Sequence, residues 1–145
     1  MDLEARMAVI AEHIRCELSH DLDGALATMA DEPVYEFYPY RLRISGEVAV
    51  TEMWKRLLAI PPVARVDRDN VVKQIFVKDD AVLMVQDMEF TTETGEKRHA
   101  RPIAIYYFAD GKIDKETAYF DREGMRYMDV LLDEEFRSLP GVEEI

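Results

Sequence analysis

Apolar side chains recur at three- and four-residue intervals through residues 2–18, aligning Leu3, Met7, Ile10, Ala11, Ile14 and Leu18 on one helical stripe. A short second helix is predicted over residues 22–29, with Asp21 as its cap. Pro33 then opens Val34-Tyr35-Glu36-Phe37-Tyr38, an aromatic-rich strand stopped by Pro39. After Gly46 a third helix carries Val50, Met53, Trp54, Leu57 and Leu58 inward, and Pro61-Pro62 ends it. The remainder reads as strand at about 70–78, 81–91, 98–109 and 112–120, punctuated by turns at Asp79-Asp80, Thr94-Gly95-Glu96 and Asp110-Gly111. Asp-Gly suits a two-residue hairpin, whose central positions both need φ > 0. An amphipathic helix closes the pattern over 123–137, with Met125, Met128, Leu132 and Phe136 on its apolar side and Asp129, Asp133, Glu134 and Arg137 toward water.

Helices followed by an antiparallel meander define an α+β domain, with three N-terminal helices packed on one face of a curved antiparallel sheet. Such packing leaves a cone-shaped pocket, here expected to be lined by Ile14, Tyr35, Trp54, Leu58 and alternate strand residues. An apolar pocket with a few polar groups is the usual form of a small-molecule site. Neither repeats nor a Gly/Ser linker interrupt the chain, so residues 1–145 are read as one domain, with a core over about 5–122 and a C-terminal helical extension over about 123–137.

Composition narrows the class. A chain of 145 residues with 48% hydrophobic side chains can bury one sizeable core. The net charge of −12 repels nucleic acid and anionic lipid, so neither is expected as a partner. Residues 114–145 hold 10 acidic and 4 basic side chains, which reads as a solubilising surface. No apolar run approaches the roughly 20 residues of a membrane span, and Glu4, Arg6, Glu12 and His13 occupy the N-terminus in place of a signal-peptide core. The single Cys16 excludes an internal disulfide and suggests a reducing compartment, so a cytoplasmic protein is expected.

The candidate chemistry centres on Asp121, which ends the last predicted strand after Tyr119-Phe120. A carboxyl group at the rim of an apolar surface has a shifted pKa and can act as acid or base. Side-chain alternation groups Val85, Asp87 and Glu89, then Arg101, Ile103, Ile105 and Tyr107, then Thr117, Tyr119 and Asp121. A plain two-residue turn at Asp110-Gly111 would pair odd with even positions, so sharing one face requires a bulge. His13, Cys16 and His20 lie opposite the apolar stripe without a fourth ligand, and exposed side chains are expected there, not a zinc site. His99 is read as a solvent-facing strand residue, and Trp54 as core that also serves as pocket wall. Phosphate-loop and nucleophile-elbow patterns are absent from the sequence, and no metal or cofactor is expected.

The order of Ala30-Asp31-Glu32-Pro33-Val34-Tyr35-Glu36-Phe37, Gly46-Glu47-Val48-Ala49-Val50 and Asp110-Gly111-Lys112-Ile113 through Tyr119-Phe120-Asp121 resembles the nuclear transport factor 2-like superfamily, in its SnoaL-like branch. The likeness runs over about residues 5–125 and implies the cystatin-like sheet and, commonly, a homodimer. In the polyketide cyclases a terminal aspartate acts as acid/base, and Asp121 matches it; their histidine on the preceding strand is replaced by Tyr107. Ketosteroid isomerases take a base from the first strand where this chain has Tyr38, so that activity is not expected. The limonene-epoxide hydrolase pattern is matched by Tyr35, Asp87 and Asp121, whereas Phe37 and Val85 stand where its asparagine and arginine belong. Arg101, from a neighbouring strand, is a candidate substitute for the missing arginine. The family comparison turns the odd-numbered positions toward the cavity.

The reading favoured by these residues is a cofactor-independent acid/base enzyme acting on a small apolar molecule, with Asp121, Asp87 and Tyr35 as catalytic groups. Ile14, Phe37, Trp54, Leu58, Glu89, Arg101, Ile103, Ile105, Tyr107 and Tyr119 would line its substrate site. The alternatives are a non-catalytic binding domain with the same pocket and a dimerisation module.

Overall fold

The computed structural model describes residues 1–60, 71–92 and 94–145. The first helix, α1 (Leu3–Ser19), is capped by Asp2, whose carboxylate accepts from the Ala5 N–H at 2.8 Å. It ends at His20, where a left-handed φ of 62° stops the helix. Its rotation differs from the expected stripe. Ile10, His13 and Cys16 are buried, while Leu3, Ala11 and Leu18 are exposed. The reason lies in α2 (Leu22–Ala27), which approaches α1 so closely that a Cβ on Gly24 would sit 2.7 Å from the Cys16 sulfur. Small Cys16 and bare Gly24 permit that contact, and the expected surface cysteine becomes core. Asp21 caps α2 as predicted, accepting from Gly24 N–H at 2.9 Å.

The first strand, β1 (Met29–Tyr38), starts earlier than Pro33 and cuts α2 short. It turns back through β2 (Leu42–Ile44), a three-residue strand too brief to leave a sequence signal. Next comes α3 (Gly46–Ala59), which buries Ala49, Val50, Met53 and Trp54; Pro61-Pro62, expected to end it, lie outside the described residues. The meander follows as β3 (Val71–Lys78), β4 (Ala81–Thr91), β5 (Lys97–Ala100), β6 (Ile103–Ala109) and β7 (Lys112–Tyr119). The strand predicted over 98–109 is thus divided at Arg101-Pro102, since proline has no N–H to give to the ladder. At the C-terminus the single predicted helix is two pieces, α4 (Arg122–Asp129) and α5 (Glu134–Arg137), before β8 (Val142–Glu144).

The sheet runs β3-β4-β6-β7-β1-β2-β8, with β5 also paired to β4. It is an α+β fold with a curved, largely antiparallel sheet and N-terminal helices; only β1 and β7 pair in parallel among the described strands. Asp110 and Gly111 take φ of 50° and 83°, as their hairpin turn demands. The expected bulge is present too, because the register shifts between Tyr107 and Phe108. Odd residues of β6 therefore oppose odd residues of β7, as in Ile105↔Thr117. Their direction is the reverse of that expected. The helices cover the even side: Val82, Met84, Gln86, Ala104, Tyr106 and Ala118 are buried, whereas Leu83, Val85, Ile103 and Ile105 remain half-buried on the outer face.

Gly141 joins α5 to β8 at φ 92°, and its carbonyl accepts from Ser45 N–H at 2.8 Å just before α3. A Cβ there would overlap the Ser45 carbonyl oxygen. Gly141→Ala is expected to lower unfolding free energy by about 2–3 kcal/mol in urea titration, combining left-handed strain with the clash. Gly111→Ala, at a similar φ of 83° with open space around it among the described residues, is expected to lose only about 1 kcal/mol. Equal losses would show that the Ser45 contact yields without penalty.

Candidate functional site

Two rows of cross-strand neighbours form the floor beneath α1 and α3. Tyr106, Glu116 and Tyr35 stand opposite one another across β6, β7 and β1. Beside them run Ala104, Ala118 and Phe37. The two alanines stop short where larger side chains would fill the space, and a cavity of about 120 Å³ opens above them. His13, Ile14, Glu17 and Leu18 of α1, Trp54 of α3 and Phe120 enclose it. Gly124, Tyr127, Met128 and Leu131 supply the far wall, so the C-terminal segment closes the cavity while Leu132 and Phe136 complete the core.

A short hydrogen-bond relay fixes His13. The Thr28 hydroxyl donates to the Ala25 carbonyl at 2.6 Å, which leaves its oxygen to accept from His13 Nδ1–H, also at 2.6 Å. This assignment places the proton on Nδ1 and leaves Nε2 unprotonated, 4.0 Å from a Glu116 carboxyl oxygen. Burial pulls the imidazole pKa down to about 4, opposed by the Ala25 backbone. Burial also pushes Glu116 up to about 8, with the Glu17 carboxylate adding to the shift. Both groups are therefore neutral near pH 7, one holding a transferable proton and the other a lone pair. Tyr35 is 2% exposed and already engaged: its hydroxyl accepts from Trp54 Nε1–H at 3.0 Å and donates to the Met29 sulfur at 3.4 Å. Burial raises Tyr35 and Tyr106 well above the ordinary tyrosine value, so both stay neutral donors.

The sequence-predicted residues divide into two groups. Tyr35, Ile14, Phe37 and Trp54 line the cavity. Leu58 packs against the core beside it. Asp87, Arg101 and Asp121 do come together, but outside. Arg101 Nε and Nη2 donate to the two Asp87 oxygens at 2.9 and 3.1 Å, with the Arg101 side chain 64% exposed. Asp121 is exposed and caps α4, accepting from Gly124 N–H and Arg101 N–H, each at 2.9 Å. Both its oxygens hold backbone donors instead of facing a cavity. Glu89 pairs with Lys97 at 2.6 Å. Ile103, Ile105 and Tyr107 share the outer face, where Lys115 lies over the Tyr107 ring. Tyr119 is exposed and stacks on Tyr38.

His13, Glu116, Thr28, Gln86 and Tyr106 were missed. For Gln86 the signal lies in β4, where the even positions read Val82, Met84, Gln86, Met88 and Phe90 while the odd ones end in Asp87 and Glu89. That alternation alone turns the even positions inward. His13, expected with Cys16 and His20 on the exposed face opposite the apolar stripe, is buried instead. Among the described residues no group of His, Cys, Asp or Glu is arranged to hold a metal ion.

The half-buried Glu116 carboxyl makes stability depend on pH. The folded state binds a proton at Glu116 that the unfolded chain releases above its ordinary value of about 4.5, so stability attributable to this group falls between about pH 4.5 and pH 8. Glu116→Gln is accordingly expected to gain relative to wild type as pH rises, by up to about 1.4 kcal/mol per pH unit across that window, and to match it near pH 4.5. Urea midpoints at pH 4.5, 6 and 8 measure the trend. A pH-independent difference would place Glu116 in water.

A profile of the SnoaL-like domain family matches residues 10–116. No curated protein matches the chain. Among solved structures, an epoxide hydrolase from M. tuberculosis resembling limonene-epoxide hydrolase is 20% identical over 89% of this chain and 90% of its own, with a TM-score of 0.65. SalBIII, an epoxide hydrolase/cyclase-like enzyme of pyran-ring formation in salinomycin, is 15% identical over 85% of this chain and 95% of its own, at 0.69. Rv0760c from Mycobacterium tuberculosis, solved with estradiol-17beta-hemisuccinate, is 21% identical over 83% and 96%, at 0.66. At these identities the likeness is one of fold. With the family profile spanning most of its length, the chain belongs to the SnoaL-like domain family.

Proposed function

We propose that this protein is a cofactor-independent enzyme that moves a proton on a small apolar molecule held in the cavity, with Glu116 and His13 as the proton-handling pair. The observation that carries the reading is the Glu116 carboxyl group 4.0 Å from His13 Nε2 inside an aromatic-walled cavity. Displaced pKa values of opposite kinds, a raised acid facing a depressed base, characterise sites of acid/base work. At neutral pH the acid can give a proton to a ligand oxygen while Nε2 accepts one from carbon or water. The short path between the two groups lets the pair return to its starting state. Enzymes among the structural relatives, an epoxide hydrolase and a hydrolase/cyclase-like protein, fit such a role without defining it.

The test is turnover of compact probes, cyclohexene oxide for ring opening and 3-cyclohexenone for isomerisation. Glu116→Gln and His13→Gln are each expected to lower the rate about 100-fold or more, with Asp87→Asn changing it less than about threefold. Loss of activity in Asp87→Asn and Asp121→Asn, with Glu116→Gln unaffected, would return the chemistry to the outer Asp87–Arg101–Asp121 cluster and end this assignment.

We also infer a cytoplasmic homodimer that associates through the outer sheet face. Leu83, Val85, Ile103 and Ile105 lie there half-buried, and the buried Thr117 hydroxyl has no hydrogen-bond partner among the described residues. Light scattering at micromolar concentration is expected to give twice the chain mass, and Ile105→Glu to give a folded monomer. A wild-type monomer overturns the inference.

A further inference from the structure

We propose that the cavity takes an apolar amine as its ammonium ion, held by the Glu116 carboxylate within the rings of Tyr35, Trp54 and Tyr106. The proposal rests on the cavity being the ligand site described above, and does not depend on turnover there. The lining has a pronounced chemical bias. Among the described residues it contains seven Phe, Tyr or Trp side chains and two glutamates, Glu17 and Glu116, but neither lysine nor arginine. Aromatic faces attract cations, most strongly where water is excluded. The chain's net charge of −12 draws cations toward the surface and repels carboxylates and phosphates. Size adds a second limit. A cavity of about 120 Å³ is comparable to the roughly 150 Å³ apolar cavity that holds benzene, so the apolar part is a single ring.

The groups facing Glu116 determine how binding depends on pH. From α1 come His13, neutral down to about pH 4, and Glu17. Tyr35 from β1 and Tyr106 from β6 remain uncharged, and Trp54 from α3 carries no charge. In the empty cavity Glu116 keeps its proton up to about pH 8. An alkylammonium, which titrates near the lysine value of about 10.4, supplies the counter-charge that lets this proton leave. Binding at pH 6.5 therefore releases about one proton, and affinity rises about tenfold per pH unit from pH 6 to 7.5.

Calorimetry on the full chain tests this with three probes of one ring size: cyclohexylamine, cyclohexanol and cyclohexanecarboxylate. Titration at pH 6.5 in two buffers of different ionisation enthalpy counts the protons released. The expected result is an amine at least about tenfold tighter than the alcohol, a carboxylate weaker than both, and about one proton released per amine bound. In Glu116→Gln the preference for amine over alcohol should fall below about twofold. Should that variant fail to fold, proton release by the wild-type chain decides, and its absence overturns the proposal. Equal affinity for amine and alcohol also overturns it while leaving the cavity as a ligand site. Failure of all three probes to bind overturns both.

Discussion

The placement of one carboxyl group organises this molecule. Glu116 sits at the centre of the helix-covered sheet face, between Tyr106 and Tyr35, where an ionised carboxylate without a partner would be strongly unfavourable. The fold resolves this by keeping the group protonated and facing it with a neutral histidine. Each surrounding feature serves that arrangement. The Thr28–Ala25 relay selects the His13 tautomer. The Cys16–Gly24 contact brings α2 close enough to α1 for Thr28 to reach the ring. Met29 takes the Tyr35 hydroxyl proton and Trp54 donates to its oxygen, so Tyr35 has no proton left to give Glu116.

Much of the architecture was legible because it follows from short-range rules. Asp21 acts locally as a cap, and Asp110-Gly111 must adopt positive φ wherever it falls in a tight hairpin. The bulge before that hairpin follows from parity once the family likeness puts the odd positions of both strands on one face. The elements missed were those whose cause is not local. The strands β2 and β8 form by pairing with distant partners, β2 with β1 and β8 with β2 as in Leu42↔Glu144, and neither has a pattern of its own. The break of the last helix between α4 and α5 falls where Asp133 caps a new helix, accepting from the Phe136 N–H at 2.8 Å.

The site was less legible, for a different reason. Within β6, where both sets of positions are apolar, strand periodicity establishes which side chains share a face but not which face meets the helices. The family likeness favours the odd positions, because Asp121 matches the terminal aspartate of the polyketide cyclases. Here that aspartate terminates the strand as a helix cap, and its neighbour Arg101 completes an ion-paired cluster on the outside. The motif survives while its surroundings have changed. The alternation within β4, a purely physical signal, pointed the other way. A single histidine buried on an amphipathic helix carries almost no sequence signature, since its burial depends on Thr28 from another element.

The energetics of Glu116 also separate the functional readings. A module whose sheet serves only to dimerise gains nothing from a carboxyl raised to about pH 8 at its centre, because an apolar residue of similar size would pack there without the pH-dependent penalty. A passive apolar binding site would likewise work better with Leu or Met opposite Trp54. Keeping an acid whose proton is held at neutral pH, next to a base that stays unprotonated, is destabilising, and that cost is the ground for proposing that a ligand exchanges charge or protons with the pair. The small alanines at 104 and 118 lead the same way, since they leave room beside the acid where larger residues would have sealed it. Space, an available proton and a lone pair thus meet at one point on the sheet. Sequence identity with any relative plays no part in that convergence.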